Sequence, residues 1–138
     1  MIVVDASGIL SALDSGDPHH SACLSALRAG EPRLLSPLIL AEVDYLLGTR
    51  SGRHAQLTFL EDVAGGAYRV EPFDQGDIVE ATDVLRRYAD LDIGLADASL
   101  VVIARRHGVG DLLTLDERHF RVVLGPGDRP FRLLPADG

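Results

Sequence analysis

The chain has 138 residues and no lysine, carries one cysteine, and contains no apolar run approaching the length of a membrane span. Each absence excludes something. A lone Cys23 forms no internal disulfide, and no Cys/His spacing suits zinc. Runs far shorter than about 20 apolar residues argue against a transmembrane helix. The opening Met1-Ile2-Val3-Val4-Asp5 lacks a basic segment and meets an acid early, so it does not read as a secretory signal, and a reducing cytoplasm is expected. Without lysine, all 13 basic residues are arginine, set against 21 acids, for a net charge of −8. Such acidity speaks against a broad basic surface for nucleic acid, because phosphate neutralisation supplies most non-specific affinity. Any phosphate-handling site must then rely on metal ions to invert the local field. No G-x-x-x-x-G-K-[ST] and no G-x-S-x-G occurs, which removes phosphate-cradling loops and nucleophile elbows. The five histidines show no ligand spacing and read as surface residues at helix ends.

What is present alternates between short apolar runs and amphipathic stretches. Ile2 to Val4 reads as a strand, and Ser7 as the cap of a helix to about Leu13. Asp17-Pro18 starts a helix to about Ala29, and Ser36-Pro37 starts another to about Leu47, broken by Gly48 to Gly52. Further helices are expected over Arg53 to Ala64, after an Asp77/Glu80 capping box, and over Leu95 to His107. Strands are expected at Arg33 to Leu35, Tyr68 to Val70, Asp111 to Leu115 and Phe131 to Leu134. The pattern predicts one domain over residues 1–138, an α/β sandwich with a mostly parallel sheet.

Four acids stand out. In open parallel sheets ligands sit beyond the carboxyl ends of the strands, and Asp5 and Asp116 follow two such ends. At about 100° per residue, Glu42 falls between Leu38 and Leu46 on an apolar helical face. Asp97 aligns with Val101 and Ala104 on a helix apolar nearly all round. Plainer readings exist for each: an ion pair with arginine or a place at the edge of the stripe for Glu42, a helix-dipole partner for Asp97, and local turn bonds for Asp5 and Asp116. Asp92 competes with Asp97 as a cap or further ligand. Jointly, converging carboxylates demand cations, and carboxylate with water suits Mg²⁺ or Mn²⁺.

The segments Val3-Val4-Asp5-Ala6-Ser7, Ser36 to Val43, Gly94-Leu95-Ala96-Asp97-Ala98-Ser99 and Leu113-Thr114-Leu115-Asp116-Glu117-Arg118-His119-Phe120 resemble, in order and spacing, those of the PIN-domain family. Within it the chain looks most like the VapC toxins of bacterial toxin-antitoxin pairs. The resemblance implies a three-layer α/β/α fold and Mg²⁺- or Mn²⁺-dependent endonucleolytic cleavage of RNA that leaves a 5′-phosphate. It implies Asp5, Asp97 and Asp116 as metal ligands, Glu42 as a ligand directly or through water, and Thr114 as a hydroxyl orienting an acid or water. Ser7 is either a similar partner of Asp5 or a plain cap.

The resemblance also implies a VapB-like antitoxin partner and a homodimer. Arg86, Arg87, Arg105, Arg106, Arg118 and Arg121 are candidates for phosphate contact or plain surface residues. The helix after Pro37 carries more apolar side chains than one core contact needs, so part of it is expected to face another protein. A groove shared with Ala22, Leu24, Ala26 and Leu27 is the expected seat for an amphipathic segment. The alternatives are a housekeeping PIN nuclease, a non-catalytic PIN-like scaffold, and a phosphate-accepting receiver domain, whose site lysine is missing here.

Overall fold

The computed structural model describes residues 1–138. Three-residue strands β1 (Ile2–Val4), β2 (Arg33–Leu35), β4 (Asp111–Leu113) and β5 (Arg132–Leu134), with the two-residue β3 (Arg69–Val70), form one parallel sheet in the order β3-β2-β1-β4-β5. The apolar run Ile2-Val3-Val4 is wholly buried, as a central strand covered on both faces must be. Helices α1 (Ala6–Leu13), α2 (His20–Ala29), α3 (Pro37–Arg50), α4 (Arg53–Ala64), α5 (Gln75–Arg87), α6 (Leu95–His107) and the single turn α7 (Glu117–Phe120) make the outer layers of an α/β/α sandwich. No helix is long and apolar enough to cross a membrane.

The order of the strands locates the crevice. From β1 the chain builds outward through β2 to β3, then returns to lay β4 and β5 on the other side of β1. The topological switch therefore lies between β1 and β4, and the loops leaving their carboxyl ends diverge there. Asp5 and Asp116 lie on those two loops. Gly8 keeps α1 tight against this edge, since a Cβ at that position would sit 2.5 Å from Leu113 Cγ. Helix α6 packs on β1 through an unbroken buried run from Ala98 to Ala104, so burial begins just after Asp97. Apart from Ser99, the residues of this run belong to one apolar cluster that also takes in Val4, Ile9, Ile39 and Leu113.

The edge strand β5 is fastened by the C-terminal turn. The Leu133 N–H donates to Asp137 Oδ2 at 2.8 Å, which blunts an otherwise free strand edge. Arg121 donates to both oxygens of Asp137 at 2.8 Å and, with Leu133, holds its carboxyl down at about 2. Because Arg121 closes α7, this clasp anchors the turn that begins at Asp116.

Several local boundaries differ from the sequence expectation. Asp5, rather than Ser7, caps α1, its carboxylate accepting from Ala6 N at 2.8 Å. Asp17 closes a turn onto His19 N, and α2 begins only at His20. Helix α3 continues through Gly48 to Arg50, because the buried line of Ile39, Val43 and Leu47 carries the helix past the glycine. The capping box before α5 is Asp74 with Asp77, one turn earlier than expected. Asp92 is exposed and caps nothing; Gly94 is the N-cap of α6, and Asp97 accepts its N–H at 3.1 Å. The histidines are not all surface decoration, for His107 engages the buried Glu71 and His119 engages Asp116.

Candidate active site

Asp5 is the buried centre of the crevice, 7% exposed. Its Oδ2 accepts a hydrogen bond from Thr114 Oγ1 at 2.7 Å and lies 3.3 Å from Ser7 Oγ. Thr114 Oγ1 in turn accepts from Asp116 N at 3.0 Å, and Ser7 Oγ accepts from Leu115 N at 3.0 Å. Two hydroxyls thus bridge the loop after β1 to the loop after β4. Burial first, and then the charges of Asp97 and Glu42, push the Asp5 carboxyl up to about 6 against the pull of its hydrogen bonds from Thr114 and Ala6.

Glu42 and Asp97 reach this centre through a buried serine pair. Ser36, the N-cap of α3, lies with its Oγ 2.7 Å from Ser99 Oγ on α6. Since the Ser99 hydroxyl donates to Ala96 O at 2.6 Å, the Ser36 hydroxyl donates to Ser99 while accepting from Leu38 N. The pair locks the first turns of α3 and α6 together, the turns that precede Glu42 and hold Asp97. Glu42 is exposed, not sunk in an apolar stripe as its helical position suggested. The buried line of α3 is Ile39, Val43 and Leu47, and Glu42 shares a partly open line with Leu38 and Leu46. Its carboxyl is nonetheless raised, first by partial desolvation and then by Asp97.

Asp116 stands differently. Its Oδ1 caps α7 by accepting from His119 N at 3.1 Å, and its Oδ2 lies 2.8 Å from His119 Nδ1. Asp5, Glu42 and Asp97 are therefore in mutual electrostatic contact, while Asp116 is joined to them through Thr114. No three His, Cys, Asp or Glu side chains are gathered tightly enough to enclose an ion as they stand. The chemistry of the donor set still fits a hard divalent cation. All four groups offer carboxylate oxygens, and the burial and repulsion that raise Asp5 and Glu42 are what such a cation offsets.

Thr114 is the joint of the crevice, which sets an expectation for its isostere. Thr114→Val strands the Asp116 N–H and removes the donor on Asp5, so stability should fall by about 1 to 3 kcal/mol. Thr114→Ser should restore most of it. Urea unfolding of the two variants checks the pair.

Of the six arginines proposed for phosphate, five are spent on carboxylates: Arg86 on Asp83, Arg87 and Arg105 on Asp128, Arg106 on Asp77 and Glu71, and Arg121 on Asp137 and Glu117. Only Arg118 of that set has no acidic partner. The groove beside α3 is also built otherwise than expected. A cavity of about 740 Å³ opens between α1, α3 and α4, with Leu10, Leu13, Leu46, Leu47 and Phe59 in its wall and Ser7 and Leu115 at the end toward Asp5. Helix α2 faces away from it, its Ala22, Ala26 and Ala29 lining a second cavity against Leu134 and Pro135.

An open parallel α/β sandwich with acidic side chains gathered at its switch point defines the class of protein at hand. The family model for the PIN domain matches residues 2–124, and the chain belongs to that family. The chain is 36% identical over 135 residues to Ribonuclease VapC26 of Mycobacterium tuberculosis, covering 97% of this chain and all of that protein. Among solved structures, VapC20 of M. tuberculosis, described as a sarcin-ricin loop cleaving toxin, superposes with a TM-score of 0.74 at 23% identity, over 81% of this chain and 87% of that one. VapBC2 of Rickettsia felis bound to promoter DNA superposes at 0.69 and 15% identity, over 96% and 98%. At such identities the structural likeness establishes the fold.

Proposed function

We propose that the chain is a metal-dependent endoribonuclease that acts as the toxin of a VapBC-type pair, held in check by a protein antitoxin. The observation that carries this reading is Asp5: a buried acid at the strand switch point, raised first by burial and further by two neighbouring acids on separate helices. The kinship to a ribonuclease over nearly the whole of both chains supports the same chemistry.

In this reading Asp5, Asp97 and Asp116 hold Mg²⁺ or Mn²⁺, with Glu42 joining directly or through water. When bound, the ion would help a water lose its proton and so become a nucleophile toward a phosphodiester, and would neutralise charge on the phosphate. The remaining work falls to the chain. Thr114 and Ser7 fix the Asp5 carboxylate, so that it presents its free lone pairs to the crevice. Glu42, exposed at the mouth and raised in pKa, is placed to accept a proton from water at its carboxylate oxygens. Arg118, two residues beyond Asp116 and free of acids, contacts an RNA phosphate, a role that no lysine is present to fill.

The apolar cleft between α1, α3 and α4 fits an amphipathic antitoxin segment ending beside Ser7, and Tyr45, 68% exposed on α3, fits a homodimer face. An RNA-cleaving toxin of this kind works in the cytoplasm. Co-expression with the product of the adjacent small gene tests the reading. A stable complex with suppressed cleavage of RNA is expected, and a dimeric toxin when the partner is removed. A monomer in sedimentation that neither binds that product nor is inhibited by it would overturn the toxin role.

A further inference from the structure

We propose that His119 is a positioning residue for the carboxylate site, fixing the Asp116 side chain through its ring; this rests on the metal-binding reading above. Asp116 needs no ring to cap α7, because the bond from His119 N to Oδ1 already does that, as at any helix start. The contact of His119 Nδ1 with Oδ2 at 2.8 Å is additional, and it sets the direction of the one oxygen that the cap leaves free. With Asp116 N held by Thr114 Oγ1, the residue is fixed at three points, and each carboxylate oxygen retains a lone pair for a ligand.

The ring is itself held. Its side chain is only 16% exposed, and the backbone that carries it is fixed by the Val122 and Val123 amides, which donate to the His119 carbonyl at 3.0 Å. For the Nδ1–H to donate to the carboxylate, the ring adopts the Nδ1-protonated tautomer. A carboxylate so oriented loses little freedom when it takes a cation, whereas a free one must be ordered at the moment of binding. The other three acids have no ring partner: Asp5 is fixed by hydroxyls, Asp97 by the Gly94 amide, and Glu42 by nothing.

Calorimetric titration of the full chain with Mn²⁺, melting curves alongside, tests this. His119→Ala should weaken Mn²⁺ binding by roughly 10- to 100-fold. His119→Asn, whose amide nitrogen falls where Nδ1 lies, should bind nearly as the parent does. His119→Gln keeps bulk but carries its amide one bond too far, and should follow alanine. In an Asp116→Asn background His119→Ala should cost nothing more, a coupling that a merely structural histidine would not show. Unchanged Mn²⁺ affinity in His119→Ala, or an equal loss in both backgrounds, overturns the proposal. A parent chain that binds no Mn²⁺ overturns the site reading with it, whereas a parent that binds and loses Mn²⁺ through Asp5→Asn alone overturns only the role of His119.

Discussion

Asp5→Asn is expected to abolish RNA cleavage and, in the same protein stripped of metal, to raise thermal stability at pH 8. The two effects have one cause. A rise of the Asp5 carboxyl from an ordinary 3.8 to about 6 corresponds to roughly 3 kcal/mol of strain in the ionised form. The folded protein binds this proton more tightly than the unfolded chain does, so the penalty is absent below about pH 4, grows as pH rises through about 6, and is complete above it. Asparagine carries no charge and still offers an oxygen to Ala6 N, so the α1 cap survives. It loses part of the Thr114 bond, which leaves a net gain of up to about 2 kcal/mol at pH 8. Melting of parent and variant in chelator should diverge at high pH and converge near about pH 4. A variant less stable than the parent at pH 8 would show that the ionised carboxylate is a structural element.

Asp97→Asn should come close to Asp5→Asn in its effect on activity. Asp97 is the one acid whose charge acts on both Asp5 and Glu42, so it is the shared corner of the crevice. Its loss should lower cleavage by roughly a hundredfold or more, since several kcal/mol of transition-state stabilisation pass through the cation it helps to hold. The fold should persist, because asparagine retains an oxygen for the Gly94 N–H and the buried run from Ala98 onward is untouched. With one repelling charge removed, the Glu42 carboxyl should move down toward its ordinary value, which carbon-detected NMR titration reads directly. Retained cleavage would remove Asp97 from the site. A Glu42 titration that does not move would remove the contact between the two acids.

Much of this arrangement was legible in the chain because its signals are local. Ser36-Pro37 announces the start of α3, and the buried run after Asp97 announces a helix with no solvent face. Asp5 and Asp116 were marked by position alone, at the ends of apolar runs in a fold whose ligands gather there. The strand order itself was not legible, because nothing local says that β4 lies beside β1. Periodicity misjudged Glu42: 100° per residue put it on an apolar line, but only packing shows that the core line is Ile39, Val43 and Leu47. It missed Ser99 and His119 for a related reason. Ser99 acts through a hydroxyl 63 residues away, and His119 acts on Asp116 across a single turn that begins and ends within one motif. The spacing of Asp116 and His119, three apart on a helix start, was the one available sign of that pair.

The most direct test of the central claim is cleavage of RNA by the purified chain, followed side by side with Mn²⁺ and with excess chelator, using Asp5→Asn as the matched control. Cleavage by the parent in Mn²⁺ alone, with none in chelator and none by the variant in either, is the predicted result. Undiminished cleavage in chelator, or by Asp5→Asn in Mn²⁺, would contradict a catalytic centre built from metal and carboxylates at the switch point of the sheet.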